Sequence, residues 1–148
     1  MPLYTIGIDP GKKGGIAILC SDNTIEYMKM PEVYSELLNL VNRMNSKKNL
    51  DNNNIHCFIE QVQYRPQQRG VLTMITNYGR ILGYLEAYYI PYTVVSSQRW
   101  KGHFKLFGKD KVESINLANQ LFGLKLKKTY DGIAEALLIA KYGEQRRR

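Results

Sequence analysis

The sequence predicts an α/β domain built on a five-stranded mixed sheet, three antiparallel strands followed by two parallel ones, with helices on its flanks. Three observations carry this. Short alternating segments at 3–9, 15–19 and 24–28 are separated by turns too brief for anything but hairpins. Apolar runs at 55–60 and 92–95 each follow a long amphipathic segment, and helical crossovers lay such strands parallel to the first. The remaining apolar positions recur at helical spacing.

Taken in order, the first strand ends at Pro10-Gly11, the second follows directly, and Ser21-Asp22-Asn23 turns the chain into the third. Pro31 precedes a helix over 32–45, with Val33, Leu37, Leu40, Val41 and Met44 on its apolar face. A polar, Asn-rich loop covers 47–54, and the strand at 55–60 is compact enough to be fully buried. The polar stretch 61–70 leads into a helix over 71–89, which Pro91 punctuates before the last strand. Ser96 or Ser97 is placed to cap a short helix through Phe104. Asp110 with Glu113 three residues on has the form of a capping box for a helix to Phe122, with core face Val112, Ile115, Ala118 and Phe122. The final helix covers 130–142. No repeat interrupts this order, and 148 residues suit one domain, 1–148.

No apolar run approaches the ~20 residues that span a bilayer. Cys20 and Cys57 fall in strands, where small buried hydrophobes are the plain reading. With no basic, apolar leader at the start, the expected location is cytoplasmic. Twenty-one Lys and Arg against thirteen Asp and Glu give a net charge of +8. The cations gather at Lys12-Lys13, Lys47-Lys48, 65–69, 99–111, 125–128 and 146–148. A polyanion partner follows, because phosphate neutralisation drives affinity through counterion release.

Against that excess, three separated elements deliver carboxylates at their ends. Asp9 sits in the Pro-Gly turn, Glu60 closes the fourth strand, and Asp131 and Glu135 open the last helix. Parallel neighbours bring their C-terminal ends to one edge, about 4.8 Å apart per strand step, so Asp9 and Glu60 fall side by side. Open α/β sheets carry their chemistry at that edge. Asp131 and Glu135, four residues apart, share a helix face with Cβ atoms about 5–6 Å apart. The rest of that helix is apolar and should be buried, holding both acids rigidly. Taken singly, Asp9 reads as a turn residue, Glu60 as a surface glutamate and Asp131 as a helix cap. Together they repel, and must share protons, pair with cations or bind metal. Oxygen-only ligands suit Mg²⁺ or Mn²⁺. Two such ions about 4 Å apart activate a water and stabilise the leaving oxygen of an in-line displacement. Metal-dependent cleavage of nucleic acid is the chemistry this combination predicts.

The segments GIDPGKKGGIAIL, FIEQVQYRPQQRG, MITNYGRILGYLEA, SQRWKGHF, GKDKVESINLANQLF and YDGIAEALLIAKYG carry a resemblance over essentially the whole chain. It resembles RuvC-type Holliday-junction resolvases of the RNase H-like/retroviral-integrase superfamily, and its brevity suits a small phage-type member acting in the host cytoplasm. The resemblance implies an RNase H-like nuclease domain. It also implies a homodimer that binds branched DNA, the four-way junction, and nicks two strands symmetrically with two Mg²⁺ per site, Mn²⁺ substituting. Asp9 and Glu60 match the family's first-strand aspartate and fourth-strand glutamate, and Glu135 its last-helix acid, normally Asp. Many members place a fourth ligand three residues before that acid, where this chain has Gly132, and Asp131 is the best substitute. Which of Asp131 and Glu135 binds metal more tightly is open.

Lys101 and Lys111 match basic positions used in DNA handling, with Lys109 between them, and Lys12 and Lys13 adjoin Asp9. Tyr64, Arg65, Gln67, Gln68 and Arg69 occupy the loop after Glu60, where relatives place residues at the junction centre. Tyr64 among Gln and Arg suits stacking on an unpaired base, or else packs in the core. Gly79 and Gly83, each costing about 1 kcal/mol against alanine in a helix, point to close backbone approach. The partner is either the chain's own sheet or the same helix of a second subunit, which the resemblance favours. Asp-Pro-Gly before Gly14-Gly15 is also similar to the phosphate hairpin of sugar-kinase/actin ATPases, but 148 residues cannot supply their second domain. A non-catalytic junction-binding module is the other class, disfavoured by acids at every station. The alternative within the fold is a nuclease for forks, flaps, three-way junctions, RNA or hybrids.

Overall fold

Side chains of the first strand alternate between two cores. Ile6 and Ile8 enter one core, while Gly7 between them faces the other side. The computed structural model describes residues 2–45 and 54–147. Its elements run β1 (Tyr4–Asp9), β2 (Gly15–Cys20), β3 (Ile25–Lys29), α1 (Ser35–Asn45), β4 (Ile55–Glu60), α2 (Val71–Ala87), β5 (Tyr92–Val95), α3 (Ser97–His103), α4 (Lys111–Phe122) and α5 (Asp131–Arg146). The sheet order is β3-β2-β1-β4-β5, with β1 antiparallel to β2 and parallel to β4. β5 continues parallel to β4, and β3 antiparallel to β2. This is the mixed α/β sheet the sequence predicts.

One face buries Ile6, Ile8, Ile16, Ile18, Cys57 and Ile59 under α1 and α2, through Leu37, Leu40, Ile81 and Leu85. The opposite face is lined by small residues and takes α5 at close range. A β-carbon at Gly7 would overlap the Ala136 carbonyl and Ala140, so the helix rests on the strand backbone itself. Around it Ala17, Leu19, Phe58, Trp100 and Ile115 complete the second core. Cys20 and Cys57 are both buried.

Some expectations move. α1 starts at Ser35 rather than 32, leaving Val33 58% exposed, and Val112 at the start of α4 is 39% exposed. Val33 precedes its helix, and Val112 lies in the first turn of α4, before the Ile115 and Ala118 positions that enter the second core with α5. Asp110 caps α4 by accepting from the Lys111 amide at 3.0 Å, and Ser96 caps α3 by accepting from Arg99 at 3.3 Å. α5 continues past 142 to Arg146, and Arg147 after it is tied down. The Arg147 guanidinium donates to the Tyr4 carbonyl, to Thr5 Oγ1 at 3.1 Å and to the Asn54 carbonyl at 3.3 Å. It pins the helix to the sheet edge opposite the acids. Lys47-Lys48 and most of the predicted 47–54 loop lie outside the described residues, as do the side chains of Val41 and Met44.

Candidate metal centre and nucleic-acid face

β1 and β4 run in parallel register with Ile8 opposite Ile59, so Asp9 and Glu60 leave the sheet side by side. α5, lying across β1, brings Glu135 onto them. Carboxylate oxygens of Asp9, Glu60 and Glu135 all lie within 4.8 Å of one another. The turn behind Asp9 is tight, with Gly14 N–H donating to the Gly11 carbonyl at 2.8 Å and Gly11 N–H donating to Asp9 Oδ1 at 3.3 Å.

Three partly buried carboxylates this close cannot all ionise without a cation. Burial, followed by the neighbouring Asp9, pushes Glu135 up to about 8, and the same two causes push Glu60 up to about 7. Burial also raises Asp9, although its hydrogen bond with Glu135 opposes the rise. Glu135 holds the proton of that pair and donates it toward Asp9.

α3 braces the cluster with two consecutive residues. Trp100, fully buried, donates Nε1–H to Glu60 Oε1 at 3.2 Å, and Lys101 Nζ stands 3.8 Å from Glu135. At the start of α4, Lys111 Nζ lies 3.0 Å from Asp131, and that contact raises the lysine's pKa. Positive charge stands at the acids themselves: Lys111 is ion-paired with Asp131, and the Lys101 ammonium faces Glu135.

Asp131 stands apart from the three converging acids. It is the first residue of α5, with Tyr130 at the cap position, so it is not the helix cap. Its absence from position 132 has a steric cause. A β-carbon at Gly132 would overlap the Lys13 carbonyl and the Gly14 backbone, so no acid fits there while α5 packs this closely on the β1–β2 turn.

The remaining sequence-predicted residues form a surface around this edge. Lys12 and Lys13 are exposed in the turn beside Asp9, and Lys109 is exposed before α4. Tyr64 is 66% exposed, which excludes the core role, and Arg65, Gln67, Gln68 and Arg69 are exposed with it. A cleft of about 270 Å³ joins Asp9 and Glu60 to Arg65 and Gln68. Gly79 and Gly83 have no other atom of the described residues within 4 Å of a β-carbon added at either, so the chain's own sheet is not their partner.

The sequence matches no family model and no curated protein. Solved structures do match. Thermus thermophilus RuvC superposes with a TM-score of 0.55 at 16% identity over 97% of both chains. The fold is that of RuvC. T. thermophilus RuvC in complex with Holliday junction substrate gives 0.53 at 11% identity over 97% of this chain and 96% of that one. The likeness to RuvC is thus one of architecture along nearly the full length, carried by very few shared residues.

Within this RuvC fold, sequence reasoning missed Trp100 and Arg147. Trp100 is the single tryptophan, next to Lys101 in a serine-capped helix, and that was its available signal. Nothing local marks Arg147, whose partners lie 143, 142 and 93 residues away.

Proposed function

We propose that this chain is a single-domain, Mg²⁺-dependent DNA endonuclease that resolves four-way junctions, nicking two strands symmetrically as a homodimer. A phage origin and action in the host cytoplasm belong to the same reading. The observation that carries it is the convergence of Asp9, Glu60 and Glu135, from three elements, to within 4.8 Å at the sheet edge. An all-oxygen donor set whose members are pushed toward protonation lacks positive charge, and hard divalent cations suit it, Mg²⁺ first and Mn²⁺ as substitute. Asp9, Glu60 and Glu135 would hold them, with Asp131 at the margin. Two such ions, when bound, supply an activated water and stabilisation of the leaving oxygen.

The protein's own residues orient and attract. Trp100 fixes the rotamer of Glu60 through one hydrogen bond. Lys101 and Lys111 hold Glu135 and Asp131 in place and offer cations to backbone phosphates at the same edge. The 61–70 loop, starting one residue after Glu60, presents Tyr64 for stacking on an unpaired base and Arg65, Gln67, Gln68 and Arg69 for the surrounding backbone. Lys12, Lys13 and Lys109 extend the positive surface. Open space at Gly79 and Gly83 on α2 favours a second subunit packing there, which would set two sites at a fixed spacing.

The test is incubation of labelled four-way, three-way, hybrid and linear duplexes with protein and Mg²⁺. Paired nicks in the four-way junction, with the others cut at least tenfold more slowly, are expected. Equal cutting of forks or flaps, or preference for hybrid, would replace this reading with the broader nuclease one.

A further inference from the structure

Between α3 and α4 the chain makes two consecutive hydrogen-bonded turns that hold one aromatic ring out in solvent. At the end of α3 the Lys105 amide donates to the Gly102 carbonyl at 3.1 Å, and the Leu106 amide donates to the Lys101 carbonyl at 2.7 Å. That pairing is a Schellman motif, and Lys105 takes the left-handed φ of 59° it requires, a conformation less favourable for lysine than for glycine. The next turn closes through the Lys109 amide on the Leu106 carbonyl at 2.9 Å, with Gly108 at φ 74° in its third position, as a type II turn needs. Leu106 is buried in the second core, and Phe107 beside it is 65% exposed. Among the described residues nothing lies within 4 Å of a β-carbon added at Gly108, so the space next to the ring is open.

The segment that carries this ring is cationic. Residues 99–111 hold Arg99, Lys101, Lys105, Lys109 and Lys111 against one acid, Asp110, and that carboxylate caps α4 by accepting from the Lys111 amide. Lys105 and Lys109, on either side of the ring, are exposed. The two ends of the segment are fixed at the acids of α5. Lys101, whose carbonyl anchors the first turn, faces Glu135 at 3.8 Å, and Lys111 pairs with Asp131 at 3.0 Å. Phe107 and Lys111 are four residues apart, at most ~14 Å between Cα atoms, so the ring stands a few nucleotides from the carboxylates. A protein partner covering Phe107 would have to desolvate the flanking ammonium groups. A nucleic-acid strand neutralises them with phosphate and offers the ring a flat base.

We infer that Phe107 is a base-stacking platform for an unpaired nucleotide of the DNA strand held at the carboxylates, on the α3–α4 side of the site. The inference rests on the nuclease reading for the identity of the strand. The contact differs in kind from those of the lysines, which follow phosphates whether or not the bases are paired. It differs in place from that of Tyr64, which belongs to the loop after β4. Bases inside a duplex are covered by their neighbours, so a rigid ring at this position favours strands already open near the acids.

The experiment uses the full chain without divalent ions, titrated with a single-stranded thymidine pentadecanucleotide and with a blunt duplex hairpin. Phe107→Leu keeps an apolar side chain but removes the ring, and should weaken single-strand binding about tenfold while duplex binding is unchanged. Its salt slope should match wild type because no cation is lost, whereas Lys105→Ala should flatten the single-strand slope by about 0.7. Phe107→Trp should bind like wild type, and its emission should be quenched by the single strand, also in a Tyr64→Ala background. Trp100, fully buried, supplies a constant signal. A Phe107→Leu protein that binds the single strand as tightly as wild type overturns the platform, as does equal weakening on single strand and duplex. A melting midpoint lowered by more than a few degrees in Phe107→Leu makes the ring a packing residue and overturns it too. Should the introduced tryptophan be quenched while wild type cuts no DNA in Mg²⁺, the platform stands and the nuclease reading falls. Paired nicking of the four-way junction with an unquenched tryptophan gives the reverse.

Discussion

Glu135→Gln removes one ionisation from the carboxylate cluster while keeping its shape. A glutamine amide can still donate to Asp9, and only the 3.8 Å contact with Lys101 is lost. In the metal-free protein Glu135 is raised from 4.5 to about 8. A carboxyl with a raised folded-state pKa contributes fully below its unfolded value and loses that contribution as pH climbs through the folded one. Without divalent ions, wild-type stability should therefore fall from about pH 4.5 to about pH 8. At 1.36 kcal/mol per pKa unit the full shift is somewhat under 5 kcal/mol, and proton sharing with Asp9 reduces it to about 3 kcal/mol. For a domain of this size that is about 6–12 °C in melting midpoint. We expect Glu135→Gln to melt that much higher than wild type at pH 8 in EDTA, to match it near pH 4.5, and to lose junction nicking by more than tenfold. The assay is thermal unfolding by circular dichroism at both pH values, alongside gel analysis of nicking in Mg²⁺. A variant that melts at or below wild type at pH 8 in EDTA would refute the strained-cluster account, whatever its activity.

The other predictions concern support and assembly. Trp100→Phe keeps most of the buried ring but removes the donor to Glu60, so nicking should drop at least tenfold while the fold survives with a loss of about 1–2 kcal/mol, read from urea unfolding and cleavage rates. Gly132→Ala forces a methyl into the Lys13 carbonyl and should destabilise by about 3 kcal/mol, the upper range of overpacking. A Gly132→Ala protein as stable as wild type would mean that α5 does not lie this close to the turn. Gly83→Leu, which has open space within its own chain, should leave the monomer's melting midpoint within a few degrees yet yield monomers by light scattering that nick poorly. An unchanged dimer would move the interface away from α2.

The strands, their order and the pairing of Asp9 with Glu60 were legible because they depend on short-range signals: alternation, turn residues and crossover length. Acids at strand ends then follow from register. What escaped reading depends on contacts between distant residues. Trp100 and Glu60 are 40 positions apart and belong to different periodic patterns. Lys101 and Lys111 stood out in the sequence as basic positions for handling DNA, but not as partners of particular acids, because sequence does not give the direction of a long side chain. Gly132 looked like a departure from a motif. Its reason is a backbone contact with a turn almost 120 residues earlier, which no local pattern records. Val33 and Val112 fit the helical period and still face solvent, because periodicity names a face and not where along the helix its packing partner begins.

α5 spans the back of β1, supplies Glu135, and is tied by Arg147 to the start of the same strand. The first strand and the last helix are thus mutual halves of one structure, separated by nearly the whole chain. During synthesis, β1 to β5 emerge with their small-residue face bare, and Asp9 and Glu60 stand without the acid that completes them. No partial product ending before 131 can assemble the cluster, and folding must wait for contacts of the longest sequence separation, which are slow to form. Whatever chemistry the cluster performs therefore waits until α5 has emerged and packed on β1, so the acids of the first strand are held incomplete through most of synthesis.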